Sequence, residues 1–189
     1  MIRLETRRLI LRDYLPEDKE EYILLKSDPK TMYYLQDIQL HSRQEGERDF
    51  SEVLADAASS ERRFLFLRAE RKDTGEQLGS VGYTVESRTP LGKLVSAGYF
   101  YFPKFWGQGY GSEAFLRVLE FAFLEDHVYR VTTGCLKENR GSERIMQKCG
   151  MVPEAERPGW EWHDGEMKTR MEYRLLREEF LQKRNSLPE

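Results

Sequence analysis

The chain is short of the residues that make special chemistry easy. Its 189 residues include two cysteines, Cys135 and Cys149, and three histidines, His41, His127 and His163. Two thiols do not build a disulfide framework in a chain of this size, so both are expected to be buried and reduced. The histidines stand far apart and none keeps a metal-ligand spacing with a cysteine or an acid, so no metal is implied. Long apolar runs are missing as well. None approaches the ~20 residues that a membrane span requires, and charge begins at Arg3, so neither anchor nor signal peptide is expected. Charge of one sign is also scarce: 30 basic and 33 acidic residues leave a net −3 with both signs mixed, which argues against a nucleic-acid partner. Repeats and long linkers are absent. What remains is the profile of a single cytoplasmic domain over residues 1–189, with 39% hydrophobic residues to form one core.

Against this background one stretch stands out. Trp106-Gly107-Gln108-Gly109-Tyr110-Gly111-Ser112-Glu113-Ala114 puts glycine at every second position. Ahead of it, Leu94 to Phe102 is rich in strand formers and is stopped by Pro103. Behind it, Phe115, Val118, Leu119 and Ala122 recur at helical spacing and give one apolar face. A glycine turn between strand and helix lets backbone amides crowd around an anion, and the helix start adds unpaired N–H groups and its dipole. Dinucleotide turns read GxGxxG and phosphate loops GxxxxGK[ST]; here the glycines fall as GxGxG with no lysine after them, and neither motif fits. The turn is a diphosphate cradle or a flexible helix cap.

The remaining order is α+β. Strands are expected at Arg8–Tyr14, Phe64–Glu70, Gln77–Val85, Leu94–Phe102, Arg130–Leu136 and Lys168–Leu176, with one more between Gly150 and Lys168. Helices are expected at Pro16–Ser27, Ser42–Ser59, after the glycine loop, at Asn139–Cys149 and in the tail from Arg177. Ser142, Ile145, Met146 and Cys149 share one face of the fourth helix, and Gly150 ends it. Tyr33 and Tyr34, within Thr31–Gln39, either pack in the core or face a substrate.

Several of these stretches carry a family resemblance. Leu4-Glu5-Thr6-Arg7-Arg8-Leu9-Ile10-Leu11-Arg12, Gly79-Ser80-Val81-Gly82, Trp106 to Ala114, and Asn139 to Met151 together resemble the GCN5-related N-acetyltransferases, and within them the RimJ/RimL branch that acetylates ribosomal-protein N-termini. The resemblance implies a GNAT fold: a mixed, mostly antiparallel central sheet flanked by helices, with two splayed neighbouring strands that bind acetyl-CoA. It implies that Trp106, Gly107, Gln108, Gly109, Tyr110, Gly111 and Ser112 cradle the diphosphate of this cosubstrate and that backbone amides around Phe100 and Tyr101 meet its acetyl carbonyl. Asn139 is then expected to bond the pantetheine arm, or else to serve as a plain helix cap. Homodimers are common in the family.

Acetyl transfer from a thioester to an amine needs a neutral nucleophile, a stabilised oxyanion and a proton for the leaving thiolate. On the resemblance, Ser142 is the proton donor and also lines the CoA site; the alternative is a hydroxyl satisfied on its own helix. Many relatives carry a tyrosine acid where this chain has Met146, and a glutamate where it has Ser96. The base then falls to Glu161 in Trp160-Glu161-Trp162-His163, where flanking tryptophans could desolvate it, unless it is a solvated carboxylate. Neither cysteine has a histidine nearby in sequence, which favours direct attack over a covalent acyl-enzyme. An α-amine, with pKa about 7.7–8.0 against about 10.4 for lysine, is easier to deprotonate near neutrality by roughly 3.5 kcal/mol, and so suits a weakly specified base. The expected acceptor is a protein or peptide N-terminus, contacted through Thr31–Gln39, Glu86–Lys93 and Pro158–Gly165. A small-molecule amine and a silent acyl-CoA-binding module are the alternatives.

Overall fold

A computed structural model describes residues 1–185. They fall into two compact units, Met1–Thr84 with Gly98–Arg117, and Val85–Ala97 with the described part of Val118–Glu189.

In the first unit β1 (Arg3–Glu5), β2 (Leu9–Arg12), β3 (Phe64–Arg71) and β4 (Gln77–Thr89) lie in that order, each antiparallel to the next. Their register aligns Leu4, Leu11, Ala69 and Gly79 across the four strands, and all four are buried. Where a single strand was expected at Arg8–Tyr14, the opening segment forms a hairpin of β1 and β2. The Thr6 amide donates to the Leu9 carbonyl at 3.0 Å, which turns the chain between β1 and β2. After a single turn of 3-10 helix at Pro16–Asp18 come α1 (Lys19–Ser27) and α2 (Arg43–Ala57). Ser42 caps α2 by accepting from the Glu45 amide, the favoured chemistry at that position. Tyr14, Tyr22 and Phe50 form a buried aromatic cluster, with Tyr14 and Tyr22 edge-on at 5.0 Å. Tyr33 and Tyr34 meet edge-on at 4.7 Å, and Tyr33 is exposed.

Charge is buried in this unit as well. Asp18 takes both forks of the Arg12 guanidinium, at 2.7 and 2.9 Å, and the Leu15 amide at 2.7 Å. Burial works against the carboxylate, but Arg12, Leu15 and the nearby Arg68 hold its pKa below the usual range. A depressed folded-state pKa contributes stability above the unfolded value of about 4, which is lost as pH falls through the folded value. Asp18→Asn is expected to remove that part of the acid-unfolding profile and, by weakening the pairing of Arg12, which keeps Glu70 at 3.1 Å, to cost about 2 kcal/mol at neutral pH in urea titrations.

The G-x-x-G segment of β4 is explained by close approach. A Cβ on Gly79 would lie 2.2 Å from the Phe100 carbonyl oxygen and 2.7 Å from the Tyr101 Cα. Gly79→Val should therefore destabilise the fold by about 3 kcal/mol or more, since backbone cannot yield as a side chain can; unchanged urea unfolding would contradict this.

The second unit holds the end of β4, the start of β5 (Gly92–Tyr101), the later turns of α3 (Tyr110–Leu124), and then β6 (Val128–Leu136), α4 (Arg140–Lys148), β7 (Val152–His163), β8 (Glu166–Leu176) and α5 (Arg177–Asn185). Its strands run β5-β6-β8-β7, with β8 inserted between β6 and β7. Among these pairs β5 and β6 are parallel, with a register that runs from Lys93↔Val128 to Ser96↔Thr132. The β6–β8 and β8–β7 pairs are antiparallel. Pro153 and Pro158 are tolerated in β7 because it is the outer strand and its register shifts beside both. Val118, Leu119, Ala122 and Phe123 of α3 are fully buried, and Phe123 packs on Phe180 of α5 at 5.0 Å. Gly150 (φ 78°) closes α4 as expected, its own amide reaching the Gln147 carbonyl and that of Met151 the Met146 carbonyl, both at 3.0 Å.

Candidate active site

The glycine loop belongs to the first unit. β5 ends at Tyr101, Pro103–Phe105 make one turn of 3-10 helix, and α3 starts at Tyr110. Gly107 (φ 74°) and Gly109 (φ 82°) both occupy the left-handed region that disfavours side chains. The exposed Trp106 pins the loop to the strand, its indole N–H donating to the Tyr101 carbonyl at 2.7 Å. The Gln108 side-chain amide donates to the Lys104 carbonyl at 2.8 Å. The Glu113 amide donates to the Gly109 carbonyl at 3.1 Å, so the helical ladder begins there and the amides of Tyr110, Gly111 and Ser112 form the first turn, which has no carbonyl of its own helix to bond. This turn is a concentration of amide donors at a positive helix end, which fits a diphosphate. Phe100 and Tyr101, at the end of β5, are buried; Phe100 packs on Leu25 and Met32.

A brace runs to this loop from the β1–β2 turn. Glu113 Oε1 accepts from the Thr6 hydroxyl (2.6 Å) and the Arg8 amide (2.8 Å), and its Oε2 from Arg8 Nε (2.6 Å). Arg8 Nη1 donates to the Gln108 carbonyl at 3.1 Å, and the guanidinium lies 4.1 Å from the centre of the Tyr110 ring. Burial opposes the charge on Glu113, but Thr6 and Arg8 outweigh it and hold its pKa below the usual carboxylate range.

Asn139 and Ser142 belong to the second unit and meet in the first turn of α4. Asn139 Oδ1 accepts from the Ser142 amide at 3.1 Å, so Asn139 caps the helix, one of the two roles expected of it. The Ser142 hydroxyl faces the Cys135 thiol on β6 and lowers its pKa against burial, while the thiol itself donates to the Asn139 carbonyl at 3.8 Å. Burial pushes that thiol up to about 11, and burial alone pushes Cys149 up to about 12. Both cysteines are free and buried, and both stay neutral thiols near neutral pH. Met146 is wholly buried and serves packing. Tyr173 on β8 supports α4 from below, donating to Glu143 at 3.1 Å and accepting from Gln147 at 3.4 Å.

Glu161 lies on β7, not in a loop, and is ion-paired with Arg170 of β8 at 2.7 Å. Its neighbours Trp160 and Trp162 are exposed on the opposite face of the strand, so they do not desolvate it. Three participants carried no readable sign in the sequence: the Arg8–Glu113 brace, Cys135 as the partner of Ser142, and Arg170 as the partner of Glu161. Each pairs residues from different elements. Among the described residues no group of three or more histidine, cysteine, aspartate or glutamate side chains could hold a metal, and no helix is long and apolar enough to cross a membrane.

Comparison with known proteins agrees with this geometry. The family model for the acetyltransferase (GNAT) domain matches residues 8–152. The chain belongs to that family and is an acetyltransferase. It is similar to YoaA, an uncharacterized N-acetyltransferase of Bacillus subtilis (strain 168), with 29% identity over 153 residues, 80% of this chain and 83% of YoaA. Its fold is shared with a spermidine N-acetyltransferase from Vibrio cholerae solved in complex with CoA and spermine (TM-score 0.79, 17% identity, 93% of this chain and 99% of that one). It is shared equally with RimL, a ribosomal L7/L12 alpha-N-protein acetyltransferase solved in complex with coenzyme A (TM-score 0.78, 17% identity, 93% and 98%).

Proposed function

We propose that this enzyme transfers the acetyl group of acetyl-CoA directly to a primary amine, and that its acceptor is the α-amine of a protein or peptide N-terminus, as in the RimJ/RimL branch. The observation that carries the acetyl-CoA assignment is the glycine loop, whose two left-handed glycines lead the chain into the first turn of α3, at the positive end of that helix. When bound, the thioester supplies an activated acetyl group. Trp106 to Ser112 would hold the diphosphate, amides around Phe100 and Tyr101 the carbonyl oxygen, and the Asn139 side-chain NH₂ the pantetheine arm, since its Oδ1 is spent on the cap. Ser142 would give a proton to the departing sulfur. The raised pKa values of Cys135 and Cys149 support direct attack, because neither is a thiolate ready to accept the acetyl group. Two buried reduced thiols are also consistent with work in the cytoplasm.

The α-amine is favoured because proton removal is weakly provided for. Glu161, the proposed base, has its carboxylate engaged by Arg170, and must exchange that partner for the acceptor. An acceptor that already spends much of its time unprotonated near neutrality needs the least help. The test is CoA release at pH 7 over a panel of peptides with free or blocked N-termini, polyamines and amino acids. Release with polyamines and none with free peptide N-termini would overturn the acceptor assignment. If Glu161 is the base, Glu161→Gln should lower kcat/KM by roughly 10² at the acid end of the profile and abolish the acidic limb. A parental pH profile in the folded variant would assign proton removal to water.

A further inference from the structure

Glu113 sits in the first turn of α3, one turn from the glycines. A carboxylate there favours the helix dipole, but it stands in the same first turn that is to receive a dianion, and like charges repel. The structure answers with Arg8. We propose that Arg8 is a positioning residue for cosubstrate binding: it cancels the charge of Glu113 beside the cradle and fixes the glycine loop in its donor-out shape. This rests on the assignment of the loop to the diphosphate of CoA.

The geometry gives Arg8 little freedom. Its backbone amide and Nε grip the two oxygens of Glu113, Nη1 holds the Gln108 carbonyl, and its plane lies on Tyr110. The Gln108–Gly109 peptide is planar and trans, so drawing the Gln108 oxygen toward Arg8 points the Gly109 N–H the opposite way. One guanidinium thereby sets the direction of the amide that follows it. Arg8 Nη2 also lies 3.5 Å from where a Cβ on Gly109 would stand, so the brace reaches the left-handed residue itself. Thr6 adds a third donor to Glu113, which needs no other counter-charge. The Glu of the glycine signature is thus an anchor for the loop and not an acid–base group.

The test is a double-mutant cycle read by calorimetric titration with CoA and with pantetheine, which lacks the diphosphate. Arg8→Gln leaves Glu113 uncompensated and is expected to weaken CoA binding about tenfold or more. Glu113→Gln should weaken it only about threefold, and the double variant should recover part of the Arg8→Gln loss, falling between the two single variants, a rescue that a purely structural role for Arg8 does not give. Pantetheine should bind all four proteins alike. A parental CoA affinity in Arg8→Gln, or a double variant no better than Arg8→Gln, overturns the proposal. Arg8→Lys keeps the charge and covers a failure of Arg8→Gln to fold: it should lose less than about threefold, and a tenfold loss overturns charge cancellation. If the parent binds CoA no better than pantetheine, the loop assignment itself falls, an outcome distinct from either result.

Discussion

Gly109→Val should abolish CoA binding in a protein that still folds. At φ 82° glycine pays no steric penalty, whereas a β-branched residue is strained by about 1–2 kcal/mol even with space around it. The chain can relieve that strain by rotating the Gly109 peptide out of the left-handed region. The rotation turns the Gly109 amide and shifts the first amides of α3, which removes the donors that make the loop an anion site. The new side chain also stands against Arg8, whose Nη2 is 3.5 Å from the Cβ position, so the brace yields as well. Losing two or three charge-assisted hydrogen bonds corresponds to a loss of about 100-fold or more in affinity. The measurement is the rise in melting temperature on adding CoA, which the parent should show and Gly109→Val should not. A folded variant with the parental shift would remove the loop from the binding site. Gly107 has a similar φ but open space at its Cβ, so Gly107→Ala should keep part of the shift.

Such a prediction starts from features readable in the sequence. The alternating glycines, the proline that stops β5 and the apolar stripe of α3 are local patterns, and local patterns survive in a linear text. So are the Asn139 cap, the Gly150 stop and the buried cysteines. Pairings across the fold are not local. Arg8 meets Glu113 from the far end of the chain, and no spacing announces it. The β1–β2 hairpin was hidden because the apolar run through Leu4, Leu9 and Leu11 reads as one strand until Thr6 is seen closing a turn. Glu161 shows the same limit from the other side. Its flanking tryptophans suggested a dry pocket, but strand alternation sends them to the face away from it, where both are exposed. The insertion of β8 between β6 and β7 is likewise a matter of long-range pairing.

Ser142→Ala should lower kcat by roughly 10² while changing the KM for acetyl-CoA little, because a proton donor is needed mainly as the sulfur leaves. The local chemistry supports such a role. The Ser142 amide is already satisfied by Asn139, which holds the residue in place, and its hydroxyl faces the Cys135 thiol. With its pKa pushed up to about 11, that thiol stays protonated near neutral pH and directs its own hydrogen at the Asn139 carbonyl at 3.8 Å, so sulfur is only a weak neutral acceptor for the serine hydroxyl. A thiolate in the same place would hold the serine hydrogen more strongly and compete with the departing sulfur for it. Cys135→Ala should therefore reduce kcat by only a few-fold, since it loses an orienting bond and not the donor. An acetyl donor whose leaving thiol is more acidic needs less help from a proton, so the Ser142→Ala penalty should shrink with it. If KM for acetyl-CoA rises and kcat holds, Ser142 is a binding residue; if the penalty is independent of the leaving thiol, the proton comes from another group.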